Sequence, residues 1–388
     1  MNNRSTTATN VVITVLFLSV LCLPVIDNIF TIAPPLPNTE QRSLSQLPKL
    51  RLDRRSIADF HGKFVSYFID NFGFRNHLIR WNSLFKLKVL RVQQFPKVLV
   101  GRDDWLYLVK DDDGNNPLDF YRAIGIFRNT GEVAAWVRPL VEIDRRLREK
   151  GIRFIVLFAP MKPSVYPEFI PGYFRPVRDV TRLDQVKEYL GKETRVEYID
   201  LVKAVKEGKN GRRVFFKYDV HWNSYGAYFA YRRILENLAP RYPSMRPASL
   251  DEYTVKWSVL PGGDLAGMLG LKDRFMEEYP DFKPVRKHRA GKGPVPYATK
   301  FSRFTQAFET GDGSLPRGVV IHDSFFNFIK PFLAEHFSRL ACFQGYSRFD
   351  LSVIEREKPD IVFFEMVESY TQKSPAYVKI LDLEQGAH

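Results

Sequence analysis

Three side chains in this sequence are of the types that acyl transfer requires. Asp219 and His221 fall in the run Lys217-Tyr218-Asp219-Val220-His221-Trp222-Asn223-Ser224, and Ser324 follows much later in Ile321-His322-Asp323-Ser324-Phe325. An Asp-x-His pair in a tight loop lets the carboxylate orient one imidazole nitrogen while the other takes a proton from a serine. Gly318–Ile321 reads as a short buried strand and Phe325–Phe337 as a helix. Ser324 would then turn off a strand end beside helix N-terminal amides, which can stabilise an oxyanion. Asp-Ser is equally an ordinary helix N-cap. The occurrence of both motifs in one chain favours the chemical reading.

Other residues have two readings each. Lys162, Tyr166 and Glu168 follow a buried strand and could line the site, or Pro160, Pro163 and Pro167 could simply make that segment a rigid loop. Trp105 and Trp222 have the chemistry of a sugar platform, although a core position is the commoner use of tryptophan. Gly262-Gly263-Asp264 is a turn signal, and Glu365 with Glu368 is either a strand-end pair near the site or a set of caps and ion pairs. His61, His77, His288, His336 and His388 have no Cys or His neighbours at ligand spacing, so no metal site is expected.

The elements that must position these residues read as an α/β arrangement. Val133–Lys150, Arg182–Leu190 and Tyr225–Leu238 have helical periodicity, and Arg153–Phe158, Val196–Leu201, Val319–Ile321, Arg339–Cys342 and Asp360–Phe364 read as buried strands. Such alternation argues for a parallel sheet with helices on both faces and ligands at the carboxyl ends of its strands. Val98–Leu108 reads as a hairpin, and the stretch from Leu238 to about Pro316 as irregular. Ile57–Val92 reads as two amphipathic helices interrupted at Asn71-Phe72-Gly73-Phe74.

At 388 residues the chain can build one large or two ordinary domains. Its two cysteines, Cys22 and Cys342, offer no disulfide framework. Val11–Ile26 is an apolar run just long enough to span a bilayer, preceded by a short tail with Arg4 and followed by the Pro-rich Ala33–Pro37. A cleaved signal peptide or a retained anchor would carry such a run, and the lack of a small-x-small cleavage pattern favours retention. The body is then exported and periplasmic. The chain has 58 Lys plus Arg against 44 Asp plus Glu, a formal charge of +14, which suits a polyanionic partner. Export argues against nucleic acid and leaves acidic polysaccharide or anionic lipid. Arg145-Arg146-x-Arg148-x-Lys150 reads as a solvated helix face, and Arg286-Lys287-His288-Arg289-x-x-Lys292 as a better candidate for polymer contact.

Several stretches resemble one family in the order expected: Gly101-Arg-Asp-Asp-Trp105-Leu-Tyr107, Ala159-Pro-Met-Lys162-Pro-Ser-Val-Tyr166-Pro-Glu168, Asp219-x-His221-Trp222, Gly262-Gly-Asp264-Leu-Ala-Gly-Met-Leu269, His322-Asp-Ser324-Phe and Asp360–Glu368. Together they look like the alginate O-acetyltransferase family, the AlgJ/AlgX-like, DHHW-type members of the SGNH hydrolase superfamily. The resemblance covers about residues 38–370. It implies an SGNH-like three-layer sandwich with a parallel central sheet, preceded by a membrane anchor and a helical stalk. The corresponding divisions are 1–30 for the anchor, 31–95 for linker and amphipathic helices, and 96–388 for the catalytic domain. With only 18 residues after Tyr370, the chain is closer to the anchored AlgJ-like form than to the longer AlgX-like form.

Carried over residue by residue, the resemblance makes Ser324 the nucleophile, His221 the general base and Asp219 its orienter. It also implies an oxyanion role for Tyr370, while Lys162 and Trp222 stand beside it as candidate substrate contacts from their own chemistry. His322 stands where an SGNH block usually has glycine. The implied reaction passes an acetyl group through acetyl-Ser324 onto a sugar hydroxyl, with no metal or organic cofactor. The donor would be a multispanning membrane O-acyltransferase, and the setting an exopolysaccharide export complex at the inner membrane. Two other readings share the same residues: a carbohydrate esterase, in which water reaches the acyl-enzyme, and a non-catalytic scaffold of the export complex.

Overall fold

The computed structural model describes residues 3–34, 36, 44–49, 54–112, 114–286, 289–297, 305–345, 347–374 and 378–381. Parts of the expected linker (35, 37–43 and 50–53), with Lys287, His288 and His388, lie outside the described residues. The chain divides into two compact units, one of 1–93 with 266–275 and one of 94–265 with 276–388.

The first unit begins with the helix Asn3–Phe30. Within it Thr9–Phe30, 22 residues of mean hydropathy 2.4, is long and apolar enough to cross a membrane. Two further helices, Arg54–Asn71 and Arg75–Lys88, are separated by Phe74 in the left-handed region (φ 60°). That break falls at the expected Asn71–Phe74 interruption. Arg80 forms a two-pronged ion pair with Asp273 at 2.6 and 2.7 Å.

The second unit opens with the expected hairpin, β1 (Val98–Val100) and β2 (Leu106–Leu108), in register Val98↔Leu108. Next come β3 (Arg153–Ala159) and β4 (Glu197–Asp200), then a long antiparallel pair, β5 (Tyr253–Pro261) with β6 (Met276–Pro284). The short β7 (Gly291–Gly293) and β8 (Gln306–Glu309) precede β9 (Arg317–His322), β10 (Arg339–Gln344), β11 (Arg348–Asp350), β12 (Ile361–Val367) and β13 (Lys379–Leu381). The central sheet has the order β4-β3-β12-β9-β10-β8-β7.

From β4 to β10 neighbouring strands are parallel. β8 and β7 then add in antiparallel fashion, so the sheet is mixed and not parallel throughout. The inner parallel strands β3, β12, β9 and β10 are largely apolar because both faces are covered, whereas the edge strand β4 is partly exposed. In β3, Ile155, Leu157 and Ala159 point into a core shared with the helix Ser224–Leu238, while Phe154, Val156 and Phe158 point into one shared with Thr130–Glu149 and Arg182–Glu193. This is a three-layer α/β architecture of the kind the resemblance implies.

Two further expectations are corrected. The helix read over Phe325–Phe337 is broken into Phe325–Phe328, Lys330–Leu333 and Ala334–His336, with Pro331 opening the middle turn. A proline at that position has no amide hydrogen to extend the preceding turn. The stretch read as irregular contains the nine-residue β5–β6 pair. Pro280 and Pro284 hid β6 in the sequence, yet a strand in a two-stranded sheet has a free edge where the missing amide costs little. The Arg145–Arg148 group lies along an exposed helix, paired to Glu142, Glu149 and Asp144. In the second basic group Arg289 pairs with Asp312.

Candidate active site

Ser324 leaves the carboxyl end of β9 in ordinary right-handed backbone geometry (φ −70°, ψ −20°). The residues on either side of it are fixed. Asp323 is buried, and its carboxylate accepts the amides of Phe325 and Val367, both at 2.8 Å, tying the end of β9 to the end of β12. The carbonyl of Phe325 accepts the indole N–H of Trp222 at 2.9 Å. Among the described residues the Ser324 amide donates to no acceptor.

Asp219 and His221 sit on a tight loop whose ends pair through the Phe215↔Trp222 bridge and the Asn223 amide to Val214 O. His221 Nδ1 donates to Asp219 Oδ1 at 2.7 Å, and the His221 amide reaches the same oxygen at 3.0 Å. With its proton on Nδ1, the ring leaves Nε2 to accept from Ser324 Oγ at 2.8 Å. The other oxygen of Asp219 accepts the Asp264 amide at 2.9 Å. A Cβ on Gly263 would stand 1.9 Å from that oxygen, so only glycine lets the backbone close over the carboxylate. Glu277 holds both sides of this cradle, accepting the amides of Tyr218 (3.2 Å) and Gly263 (3.3 Å).

The charges follow from these contacts. Burial pushes the Asp219 carboxyl up, but the hydrogen bond and charge of His221 and the two amides outweigh it and hold the carboxyl well below its usual range. Burial likewise pulls His221 down, and the Asp219 hydrogen bond and charge, with Asp264 and Asp323 nearby, raise it above an ordinary imidazole. Asp264, 3.9 Å from His221 Nδ1, makes Asp219, His221 and Asp264 a cluster with cation-ligand geometry. His221 Nδ1 and both oxygens of Asp219 already have protein partners there.

The other residues singled out in the sequence have different surroundings. Trp222 is fully buried and cannot be a sugar platform; it pins the backbone next to Ser324. Trp105 is also core, stacked on Phe169. Lys162 is buried, and its ammonium donates to Leu106 O (2.8 Å) and Lys217 O (3.0 Å), which makes it a tie behind the Asp219 loop and not a substrate contact. Tyr166 is buried, its hydroxyl accepting the Val214 amide, and Glu168 pairs with Lys209. Tyr370 lies three residues beyond Val367, half-buried at the same end of the sheet as Ser324. Glu365 and Glu368 are both buried, accepting the amides of Asp323 and Met161.

Burial draws the Lys162 ammonium down to about 7, against the opposing pull of Glu277 and Asp219. Below that pH the ammonium is charged in folded and unfolded chains alike and its burial penalty is fully present. As pH rises from about 7 towards the ordinary lysine value, the folded chain sheds the proton first and the penalty is relieved. Stability should therefore climb over that interval in the native chain and not in Lys162→Met. Urea midpoints measured across it check this, and equal slopes for the two chains would show that the charge is retained.

Sequence reasoning missed the Asp323, Gly263, Asp264 and Glu277 contributions. Only Gly262-Gly263-Asp264 carried a signal, that of a turn. Glu277 lies in a Pro-interrupted acidic segment with no pattern pointing to the site.

Residues 98–295, just over half of the chain, match the family model "SGNH hydrolase-like domain, acetyltransferase AlgX". The chain belongs to this family. The matched segment holds Asp219, His221 and Gly263 and ends before Ser324. A relative named probable alginate O-acetylase AlgJ, from Pseudomonas fluorescens, is 27% identical over 193 residues, covering 50% of this chain and 46% of the relative. The chain thus spans about half the length of the curated relatives it matches. Among solved structures, Bacillus cereus PatB1 superposes with a TM-score of 0.52 at 16% identity, over 72% of this chain and 98% of that one. A DHHW family protein from Eubacterium siraeum gives 0.51 at 16%, over 72% and 97%. At such identities these two likenesses speak for the fold alone.

Proposed function

We propose that this chain is an O-acetyltransferase that passes an acetyl group through acetyl-Ser324 onto hydroxyls of an exported polysaccharide. The observation that carries the reading is the unbroken hydrogen-bond line from Asp219 Oδ1 through both nitrogens of His221 to Ser324 Oγ. Ser324 Oγ attacks the acetyl carbonyl while His221 Nε2 takes its proton; the bond to the donor's leaving group breaks, and the imidazolium returns the proton to it. A sugar hydroxyl then loses its proton to Nε2 and attacks the acetyl ester. Ser324 Oγ leaves and recovers the proton. Asp219 holds the tautomer and stabilises the imidazolium in both halves.

The Ser324 amide, with Tyr370 as second donor, would hold the developing oxyanion, a contribution of ~3 kcal/mol per donor. The scheme calls for no metal or organic cofactor. The relatives' name and the charge of +14 favour an acidic, alginate-like acceptor. The acetyl donor would be a multispanning membrane O-acyltransferase within an export complex. In this reading residues 1–30 anchor the chain in the inner membrane, 31–95 link it, and 96–388 form the periplasmic catalytic domain; the apolar span Thr9–Phe30 supports the anchor.

The test incubates the full-length chain with a chromogenic acetyl ester, with and without a mannuronate oligomer. The expected result is one added acetyl group on the Ser324 peptide by mass spectrometry, discharged faster by the oligomer, which becomes acetylated. Ester cleavage with no sugar acetylation would move the reading to an esterase. No adduct and no turnover would leave a scaffold.

A further inference from the structure

We propose that the two helices after the apolar span, Arg54–Asn71 and Arg75–Lys88, lie along the bilayer surface and dock their apolar faces among its anionic headgroups. The inference rests on the anchor reading of residues 1–30 and goes beyond it, because it gives the segment that follows a partner of its own. The contacts that carry it all lie within the first unit.

Both helices have one apolar stripe at the spacing i, i+3, i+7, i+11: Ile57, Phe60, Phe64 and Phe68 in the first, Leu78, Trp81, Phe85 and Val89 along the second. In a helix of a water-soluble domain such a stripe faces a core. Here it faces out. Ile57, Trp81 and Phe85 are 54%, 59% and 53% exposed, while the buried side chains are polar, Asp70 at 6% and Ser83 at 5%. The opposite faces already have partners: Asp70 accepts from the amide and hydroxyl of Ser45 at 2.9 and 2.8 Å, and Arg80 is held by Asp273. A surface with its apolar side chains outward is suited to lipid, not to water.

The occupant follows from where the helices start. Asp27 stands in the last turn of the span Thr9–Phe30, and its carboxylate accepts the amide of Phe74, in the break between the two helices, at 2.9 Å. A Cβ on Gly73 would lie 2.3 Å from the carbonyl oxygen of Pro24, so the break rests directly on the backbone of the span. His77 Nε2 donates to Pro34 O at 2.8 Å and Asn76 to Leu36 O at 3.0 Å, tying the second helix to the residues that leave the span. With the span in a bilayer, the break is held at the interface and both helices begin there. Their charge suits anionic headgroups: from 57 to 93, Lys63, Arg75, Arg80, Lys86, Lys88 and Arg91 stand against Asp59 and Asp70. Lys63 pairs with Asp59 and Arg80 with Asp273, but among the described residues no carboxylate pairs with Lys86, Lys88 or Arg91. Another protein could cover an apolar stripe equally well. The basic fringe and the tie to the end of the span favour lipid.

The test reconstitutes the full-length chain in vesicles of phosphatidylethanolamine and phosphatidylglycerol and reads the depth of a spin label at Ser19→Cys, Ser66→Cys or Phe85→Cys. The background is Cys22→Ser, since the remaining Cys342 is fully buried. Expected is a Phe85 label about 5–10 Å below the phosphates, a Ser66 label, on the opposite face, in water, and a Ser19 label deep in the bilayer. The Phe85 label should become shallower when phosphatidylcholine replaces the anionic lipid. Because Phe85→Cys shortens the stripe, a second measurement leaves it whole: lipids brominated in the acyl chain should quench native tryptophan fluorescence, and Trp81→Phe should lose most of that quenching. A Phe85 label in water with Ser19 deep, or unquenched Trp81, would overturn the docking and leave the anchor standing. A Ser19 label in water would overturn both. A Phe85 label shielded from lipid and water alike would give the stripe to a second copy of the chain, and equal depth in phosphatidylcholine would remove the call for anionic headgroups; either result overturns the proposal. None of these readouts depends on acetyl transfer.

Discussion

Asp219→Asn is expected to lower the turnover of acetyl ester by about 10⁴-fold while leaving the fold intact, the size of effect known when an orienting carboxylate in such a relay becomes an amide. The cause is tautomeric. Asp219 Oδ1 accepts from His221 Nδ1, and an amide can turn its N–H₂ towards the ring, which drives the proton to Nε2 and removes the acceptor that Ser324 Oγ needs. A second signature distinguishes this from a general loss of structure. The base must be neutral to act, so turnover of the native chain falls as pH drops through the His221 value, which Asp219 holds above that of a free imidazole. With the carboxylate gone, burial becomes the dominant influence and pulls the imidazole down. The residual activity of Asp219→Asn should lose its acid limb at lower pH than the native chain does. A pH–rate profile of both chains measures this; an unmoved or raised limb would exclude Asp219 as the residue that sets the base.

The sequence made the proposed triad legible because its chemistry is local: Asp-x-His brings donor and acceptor together within one tight loop, and a serine after a buried β-strand sits at the end where parallel sheets present their ligands. The strands of the central sheet were legible for the related reason that apolar runs such as Phe154–Ala159 must be covered on both faces. What holds the reacting atoms was not legible. Val367 reaches Asp323 from another strand, and Trp222 meets Phe325 across a separation of 103 residues. None of these contacts has a period or a spacing. Lys162 was drawn into the site by its charge and its place after β3, but the interior supplied two carbonyls for its ammonium and buried it. The antiparallel edge formed by β8 and β7 was missed because short strands with glycine and polar residues carry little pattern of their own.

Gly263→Ala tests the least legible of these supports, and the loss expected is about 10²-fold or more in turnover, the scale at which a displacement near 1 Å disables a positioned group. The backbone at Gly263 is not in the left-handed region that glycine favours, so the effect is steric and not conformational. The new methyl would fall 1.9 Å from Asp219 Oδ2 and 2.6 Å from its Cβ and Cγ. Either the Asp219 loop retreats or the turn at 262–264 opens, and in both cases the Asp264 amide parts from the carboxylate it now meets at 2.9 Å. Because the damage runs through Asp219, it should vanish where Asp219 has no side chain: the double variant Asp219→Gly with Gly263→Ala should be no slower than Asp219→Gly alone. Turnover of the four chains, with circular dichroism to establish that each is folded, completes the cycle. Additive losses would mean that Gly263 matters through some contact other than Asp219. A non-additive result would identify the turn after β5 as the part of the fold that fixes the carboxylate, and through it the imidazole, against Ser324.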